Sequence, residues 1–285
     1  MDGLILVDKP AGVTSHDIVA RVRREVVGRE RSRKGEGRIR VGHAGTLDPF
    51  ATGLLVVLLG RATRVQPHVM ALAKRYEATA RFGFTSTTGD PEGEITRTGR
   101  LPPEPLVLPT GTVPQRPPAF SAVHVDGKRA YDLARAGAAV ELPERDVHVQ
   151  RFERIAPDRF LVECSAGTYV RALIADLGDA YCTALRRTAI GPFVISEAVT
   201  DPQEKDIIGL GEALRRFLPV VELAGEEARR AAHGVAVAGA TADGGTSVGA
   251  GQTEPIVLLS DADGPIALAE PRPGDTLKPV VGFRA

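Results

Sequence analysis

Apolar and polar positions change their period along this chain, and each change marks an element. The run "LILV" (4–7) is continuously apolar and closes on the turn "DKPAG", which predicts a short buried strand. Thr14 and Ser15 offer N-cap hydroxyls with Asp17 in the first turn. Ile18, Val19, Val22, Val26 and Val27 then recur at helical spacing to about residue 27. Residues 28–40 are rich in Gly and Arg and predict a mobile loop, and "LLVVLL" (54–59) predicts a fully buried strand. "YEATARFGF" (76–84) alternates strictly, with Tyr76, Ala78, Ala80 and Phe82 on one face and Glu77, Thr79 and Arg81 on the other. That is the pattern of a half-buried strand.

Further along, "TTGDPEGE" (87–94) predicts a turn, and its carboxylates lack calcium-loop spacing, so a solvated hairpin tip is expected. Residues 101–118 are Pro-rich and irregular, and "AYDLARAG" (130–137) predicts a short helix ending at Gly137. "VHVQRFERI" and "FLVECSAGTY" predict a hairpin, and residues 170–181, with Leu173, Ile174 and Leu177 on one side, predict an amphipathic helix. A second helix is expected over 211–217. After it Gly, Ala and Val dominate, and Asp263-Gly264 marks a hairpin. The expected organisation is therefore a main unit over 1–217 and a small β-rich unit over 218–285. Strands and helices do not alternate regularly and no internal repeat is visible, so the class is α+β with a mixed sheet.

Composition narrows the function classes. An apolar content of 43% over 285 residues fits an ordinary soluble core. No segment reaches the ~18 consecutive apolar residues of a membrane span. The N-terminus shows no basic leader, so no signal peptide is expected and a cytoplasmic location is. Cys164 and Cys182 lack metal-ligand spacing and are expected to be free and buried. The chain balances 36 basic against 36 acidic residues, yet residues 21–40 hold nine Arg or Lys against three Glu. Residues 218–285 reverse the sign, with five basic against nine acidic. The basic run reads equally as a solvated loop or as a local RNA contact.

Among chemical motifs, "GHAGT" lacks the lysine of a phosphate loop, no GxGxxG joins a strand to a helix, and no serine sits in a GxSxG elbow. The six histidines are scattered, which excludes an obvious zinc site. What remains is "GHAGTLDPFATG" (42–53), where Asp48 stands between Leu47 and Pro49. An Asp-Pro turn is one reading. The other is a functional carboxylate, because Gly42, Gly45 and Gly53 permit close backbone approach and the loop leads into a core strand. His43 is able to stack on a base or to hydrogen-bond it. Arg171, expected at a helix start, faces the positive end of the dipole, which calls for a specific partner.

"GHAGTLDPFATGLLVVLLGRATR" closely resembles the signature of the TruB family of tRNA pseudouridine synthases. So do "LILVDKPAGVTSHD", "KRYEATARFG" (74–83), "PPAFSAVHVDGKRAYDLARAG" (117–137) and "CSAGTYVRALIADLG" (164–178), in family order. The resemblance implies the pseudouridine synthase fold, a mixed central sheet flanked by helices, with a small C-terminal PUA-like unit. It implies isomerisation of uridine 55 in the T loop of tRNA to pseudouridine by a monomer with no cofactor, no metal and no membrane. Asp48 matches the catalytic aspartate, with attack on the sugar, attack on the ring and abstraction of a sugar proton all open. Arg171 matches the arginine that pairs with it and keeps it ionised. Tyr76 matches the tyrosine that stacks on the flipped uracil, with a hydroxyl able to act on the C5 proton. Tyr169 matches a second pocket tyrosine, and His43 the histidine that displaces T-loop bases. Gly42, Thr46 and Lys9 fall on the substrate-binding side, Lys9 in a turn with Pro10 where packing is its expected role. The chain departs from the family in a longer loop over 28–40, a shorter and Pro-rich stretch over 97–116, and Thr188 in place of a larger apolar residue.

Two rival readings stand beside this one. A non-catalytic tRNA-binding module needs the basic run but not Asp48. A nucleoside or glycoside hydrolase needs a second carboxylate ~5–9.5 Å away, and none stands out in these motifs.

Overall fold

The computed structural model describes residues 1–28, 39–121, 124–125, 128–130, 142–238 and 256–284. Strand β1 (Gly3–Lys9) leads to α1 (Ser15–Val22), extended by a wider turn through Arg23–Val27, and then to β2 (Val41–His43) and β3 (Thr52–Leu59). α2 (Gln66–Ala71), β4 (Lys74–Phe82) and the short pair β5 (Phe84–Ser86) and β6 (Ile95–Arg97) follow. β7 (Gly111–Gln115), the two-residue strands β8 (His124–Val125) and β9 (Lys128–Arg129), β10 (Arg145–Ala156) and β11 (Arg159–Cys164) come next. α3 (Val170–Ala175), β12 (Ala180–Ile190), β13 (Phe193–Val194), β14 (Ile208–Gly209) and α4 (Leu210–Arg215) complete the main sheet and its cover. β15 (Val220–Glu222), α5 (Gly225–Ala232), β16 (Val237–Ala238), β17 (Val257–Asp261), β18 (Gly264–Arg272) and β19 (Thr276–Gly282) form the C-terminal part.

The main sheet runs β14-β1-β3-β12-β4-β11-β10-β7, with β2 paired to β3 and β13 to β12. Its neighbours are antiparallel except β3 and β12, which pair in parallel at Arg186↔Thr52 and Arg187↔Gly53. A second sheet runs β15-β17-β18-β19-β16. The class is α+β, a mixed sheet flanked by helices, and the C-terminal sheet fits a PUA-like unit. Among the described residues no helix is long and apolar enough to cross a membrane.

Burial explains the strand patterns. β1 and β3 are apolar on both faces because both faces are covered. Ile5, Val7, Leu55 and Val57 pack under Ile18, Val22, Val26 and Val27 of the first helical segment. Leu4, Leu6, Leu54 and Val56 pack on the other side with Leu258, Leu268 and Phe283. Each such side chain contributes roughly 1.5–3 kcal/mol when fully buried. α1 starts where the sequence predicts, with Thr14 and Asp17 closing a reciprocal capping box. β4 keeps its period of two, and Tyr76, Ala78 and Ala80 face the cluster that holds Leu173 and Ile174 of α3.

Several expectations change. The helix predicted over 170–181 stops at Ala175, and the chain enters β12 at Ala180. Gly178 makes the turn at φ +137, a conformation outside the helical region. Leu173, Ile174 and Leu177 are still buried together, so the apolar stripe was real while its last member belongs to the turn. The helix expected over 211–217 spans Leu210–Arg215, and the irregular 101–118 stretch contributes the edge strand β7. The expected hairpin forms between β10 and β11, and the Asp263-Gly264 turn joins β17 to β18. Cys164 and Cys182 are free and buried. The helix expected over 130–137 and most of the basic 28–40 stretch lie outside the described residues.

The parallel pairing of β3 and β12 depends on Gly53. A Cβ built there would stand 2.3 Å from the Arg187 carbonyl oxygen and 2.8 Å from its nitrogen, at φ +103. Gly12 has a similar φ of +80 but open space around it. Gly12→Ala should therefore cost ~1 kcal/mol from backbone strain alone, and Gly53→Ala at least ~3 kcal/mol. Urea unfolding of both variants checks this; equal losses would remove the close approach from the account.

Candidate active site

The loop that carries Asp48 is held from three sides by buried polar groups. The Ser15 hydroxyl accepts from Leu47 N at 2.8 Å and donates to Leu47 O at 3.1 Å. The Lys9 ammonium, fully buried, donates to the carbonyls of Pro10, Val13 and Pro49. Gly12 N also donates to Pro49 O at 2.8 Å. From below, the Arg187 guanidinium donates to Leu54 O at 2.8 Å, Gly45 O at 3.0 Å and Thr46 O at 3.5 Å. A loop with this many anchors presents its side chain in a fixed place.

Asp48 itself meets Arg171. Its Oδ2 lies 3.0 Å from Arg171 Nε, and the side chains are 33% and 3% exposed respectively. Arg171 stands in the first turn of α3, and its guanidinium is used on every side. Nη1 donates to Asp90 Oδ2 at 2.6 Å and to Thr88 O at 2.8 Å, and Nη2 donates to Phe120 O at 3.0 Å. The helix start that is poor for a cation is thus offset by two carboxylates and two carbonyls.

Asp90 corrects the reading of 87–94 as a solvated tip: its side chain is 5% exposed. Oδ1 accepts from Thr88 Oγ1 at 2.5 Å and from Glu92 N at 3.0 Å, while Oδ2 takes the Arg171 bond. The turn folds inward because Gly89, at φ +73, lets Cys182 N reach Gly89 O at 3.0 Å. Composition alone could not show this, since the partner of Asp90 is 81 residues away. Arg187 was also missed. It follows Arg186, which pairs with Asp8 on the outer face at 2.7 Å, and only strand alternation distinguishes the two arginines.

Of the remaining predicted residues, Tyr76 belongs to β4 beside β12 and Tyr169 lies two positions before Arg171. Tyr76 on β4 is buried at 9% exposure and stands directly across the strands from Arg187. Tyr169 caps α3, and Gln115 fixes its backbone through Tyr169 N→Gln115 Oε1 at 2.8 Å and Gln115 Nε2→Tyr169 O at 3.0 Å. Its ring lies under Arg145, 5.5 Å from the guanidinium carbon. Gly42 and His43 sit on β2 against β3, and Gln66 holds the His43 carbonyl at 2.7 Å. Thr46 is exposed beside Asp48, whereas Lys9 turns all of its donors inward.

Comparison with known proteins places the chain in a family. Residues 33–170 match the model of the TruB family pseudouridylate synthase N-terminal domain. A "tRNA pseudouridine synthase B" of Thermobifida fusca (strain YX) is 41% identical over 99% of this chain and 98% of its own. The chain belongs to the TruB family. A protein of the same name from Corynebacterium aurimucosum is 45% identical over 81% of this chain and 83% of its own. Among solved structures, a chain of an H/ACA RNP bound to a substrate RNA containing 2'-deoxyuridine matches 99% of this chain and 85% of its own. Its TM-score is 0.66 at 21% identity, a likeness of fold. As a TruB family member the chain is a pseudouridine synthase, an isomerase.

Electrostatics around the TruB centre set a pH dependence. Burial pushes the Asp48 carboxyl above its ordinary 3.8; the Arg171 guanidinium opposes that push and Asp90 adds to it. If the ionised form is the working one, the acid limb of kcat/KM lies above 3.8. Arg171→Met removes the opposing cation, so the limb moves further up and activity lost at neutral pH returns in part as pH rises. Asp90 also loses its counter-ion, which costs ~3–5 kcal/mol, so the profiles are compared below the melting temperature of the variant. An unmoved limb would separate Arg171 from the ionisation of Asp48.

Proposed function

We propose that this protein converts uridine 55 in the T loop of tRNA to pseudouridine, in the cytoplasm, as a monomer and without a cofactor, with Asp48 as the working carboxylate. The relatives named tRNA pseudouridine synthase B support tRNA as the substrate. The observation that carries the role of Asp48 is its asymmetric partnership with Arg171. The guanidinium gives Asp90 a short hydrogen bond and Asp48 an ion pair, and Asp48 keeps a third of its side chain open. A carboxylate held charged but left accessible is what the reaction needs. The C1'–N1 bond breaks, the uracil turns, and C5 bonds to C1'; C5 then loses its proton and N1 gains one, so atoms balance with no co-reactant. The uridine must be flipped out of its loop first, and Tyr76 and Tyr169 offer faces on which to hold it.

A hydrolase reading finds no support in Asp90. That carboxylate is buried and accepts from Arg171, Thr88 and Glu92, so it is a counter-ion and not a base poised for water. A tRNA-binding module without chemistry is the competing possibility, and the test separates the two. Unmodified tRNA and a T-arm hairpin are incubated with the protein and pseudouridine is mapped. Formation at position 55 is expected with the parent chain. Asp48→Asn should lose at least ~10³-fold in turnover while tRNA affinity stays within about tenfold, ~1.4 kcal/mol. Near-normal turnover in that variant would falsify the catalytic assignment.

Tyr76 has two proposed tasks that substitution can divide. Stacking on a base is worth ~1–3 kcal/mol and survives in Tyr76→Phe but not in Tyr76→Ala. The expected result is that Phe retains tRNA affinity and fails in turnover, whereas Ala loses both. Equal and mild effects in single-turnover and binding assays would make Tyr76 a core residue only.

A further inference from the structure

Arg187 is 1% exposed and heads the largest fully buried side chains among the described residues. Among the described residues no carboxylate forms an ion pair with it. A buried cation without an anion is costly unless dipoles replace its water. Here the replacements are three backbone carbonyls. Gly45, Thr46 and Leu54 bracket the loop of Asp48, and Tyr76 is the direct cross-strand neighbour of Arg187 in the β4–β12 pairing.

The chemistry of the guanidinium fixes how it can meet the Tyr76 hydroxyl across the strands. Arginine carries five N–H donors and no acceptor, so toward Arg187 the Tyr76 oxygen can only accept, with its own proton pointing away. The same cation therefore orients a hydroxyl and holds the backbone that leads to the carboxylate. We propose that Arg187 is a positioning residue of the reaction, locking the Tyr76 hydroxyl in one orientation relative to the Gly45–Thr46 backbone and hence to Asp48. The proposal rests on the functional reading given above. The neighbouring cation also works against the upward push that burial gives the phenol, which favours any step that draws negative charge onto that oxygen.

The test is a double-substitution cycle read in single-turnover rate on the T-arm hairpin, with tRNA affinity measured alongside. Arg187→Gln should slow the parent chain at least tenfold while affinity changes less than threefold. In a Tyr76→Phe background the same substitution should cost less than threefold, because no hydroxyl is left to orient. Arg187→Lys keeps one charge and part of the donor set and should recover part of the rate. Equal losses in both backgrounds overturn the assignment and make Arg187 a scaffold residue. If Arg187→Gln does not fold, the cycle is run with Arg187→Lys, and failure of that variant to fold overturns it equally. Asp48→Asn is measured in the same series: an active Asp48→Asn sinks the functional reading itself, whereas an inactive one with equal Arg187 losses sinks only the role of Arg187.

Discussion

One buried guanidinium organises the centre of this protein. Arg171 joins the first turn of α3, the inward-folded 87–94 turn, the backbone at Phe120 and the loop of Asp48. Four parts of the chain that are remote in sequence meet at one planar cation. A lysine could not do this, since its donors radiate from a single point and cannot span two carboxylates in one plane. Asp90 matters because it neutralises the cation before Asp48 is counted. With one carboxylate committed to Arg171, the other keeps enough freedom to face a substrate.

A chain with no net charge collects cations at its core site. Lys9, Lys74, Arg171 and Arg187 are buried, and among the described residues Asp90, paired with Arg171, is the one carboxylate buried with them. Lys9 and Arg187 act on each other's surroundings, as do Lys74 and Arg187. Their hydrogen bonds go mainly to backbone carbonyls, which solvate the charge without cancelling it. The core site is therefore rich in positive charge although the composition is neutral. The balance of 36 against 36 residues hides this completely.

Much of the frame was legible because period and burial agree. β1, β3 and β4, the capped helix α1 and the Asp-Gly hairpin follow from local pattern, and Asp48 stood out by its glycines and its motif. What was not legible depends on distance in the chain. Asp90 sits among Gly, Pro and Glu, a composition that reads as solvent-exposed until Arg171 is placed against it. Arg187 looks like its neighbour Arg186, yet β12 turns one into the core and the other toward Asp8. The boundary between α3 and β12 was missed because Leu177 continues the helical stripe into a turn that Gly178 then reverses. For Asp90 and Arg187 a long-range partner decided the outcome, and for the α3–β12 boundary the backbone of one glycine did.

The cover of β1 has a consequence for how the protein folds. One face of that first strand packs against Leu258, Leu268 and Phe283, and Arg61 and Arg64 reach the carbonyls of Phe283 and Gly282. These contacts join residues more than two hundred positions apart, and such loops close slowly. Val65, Val69, Phe193 and Leu214 share that face of the sheet, so the last residues of the chain complete a cover that nearer segments begin. The folding rate of the whole is then tied to its longest loop, between β1 and the C-terminal sheet.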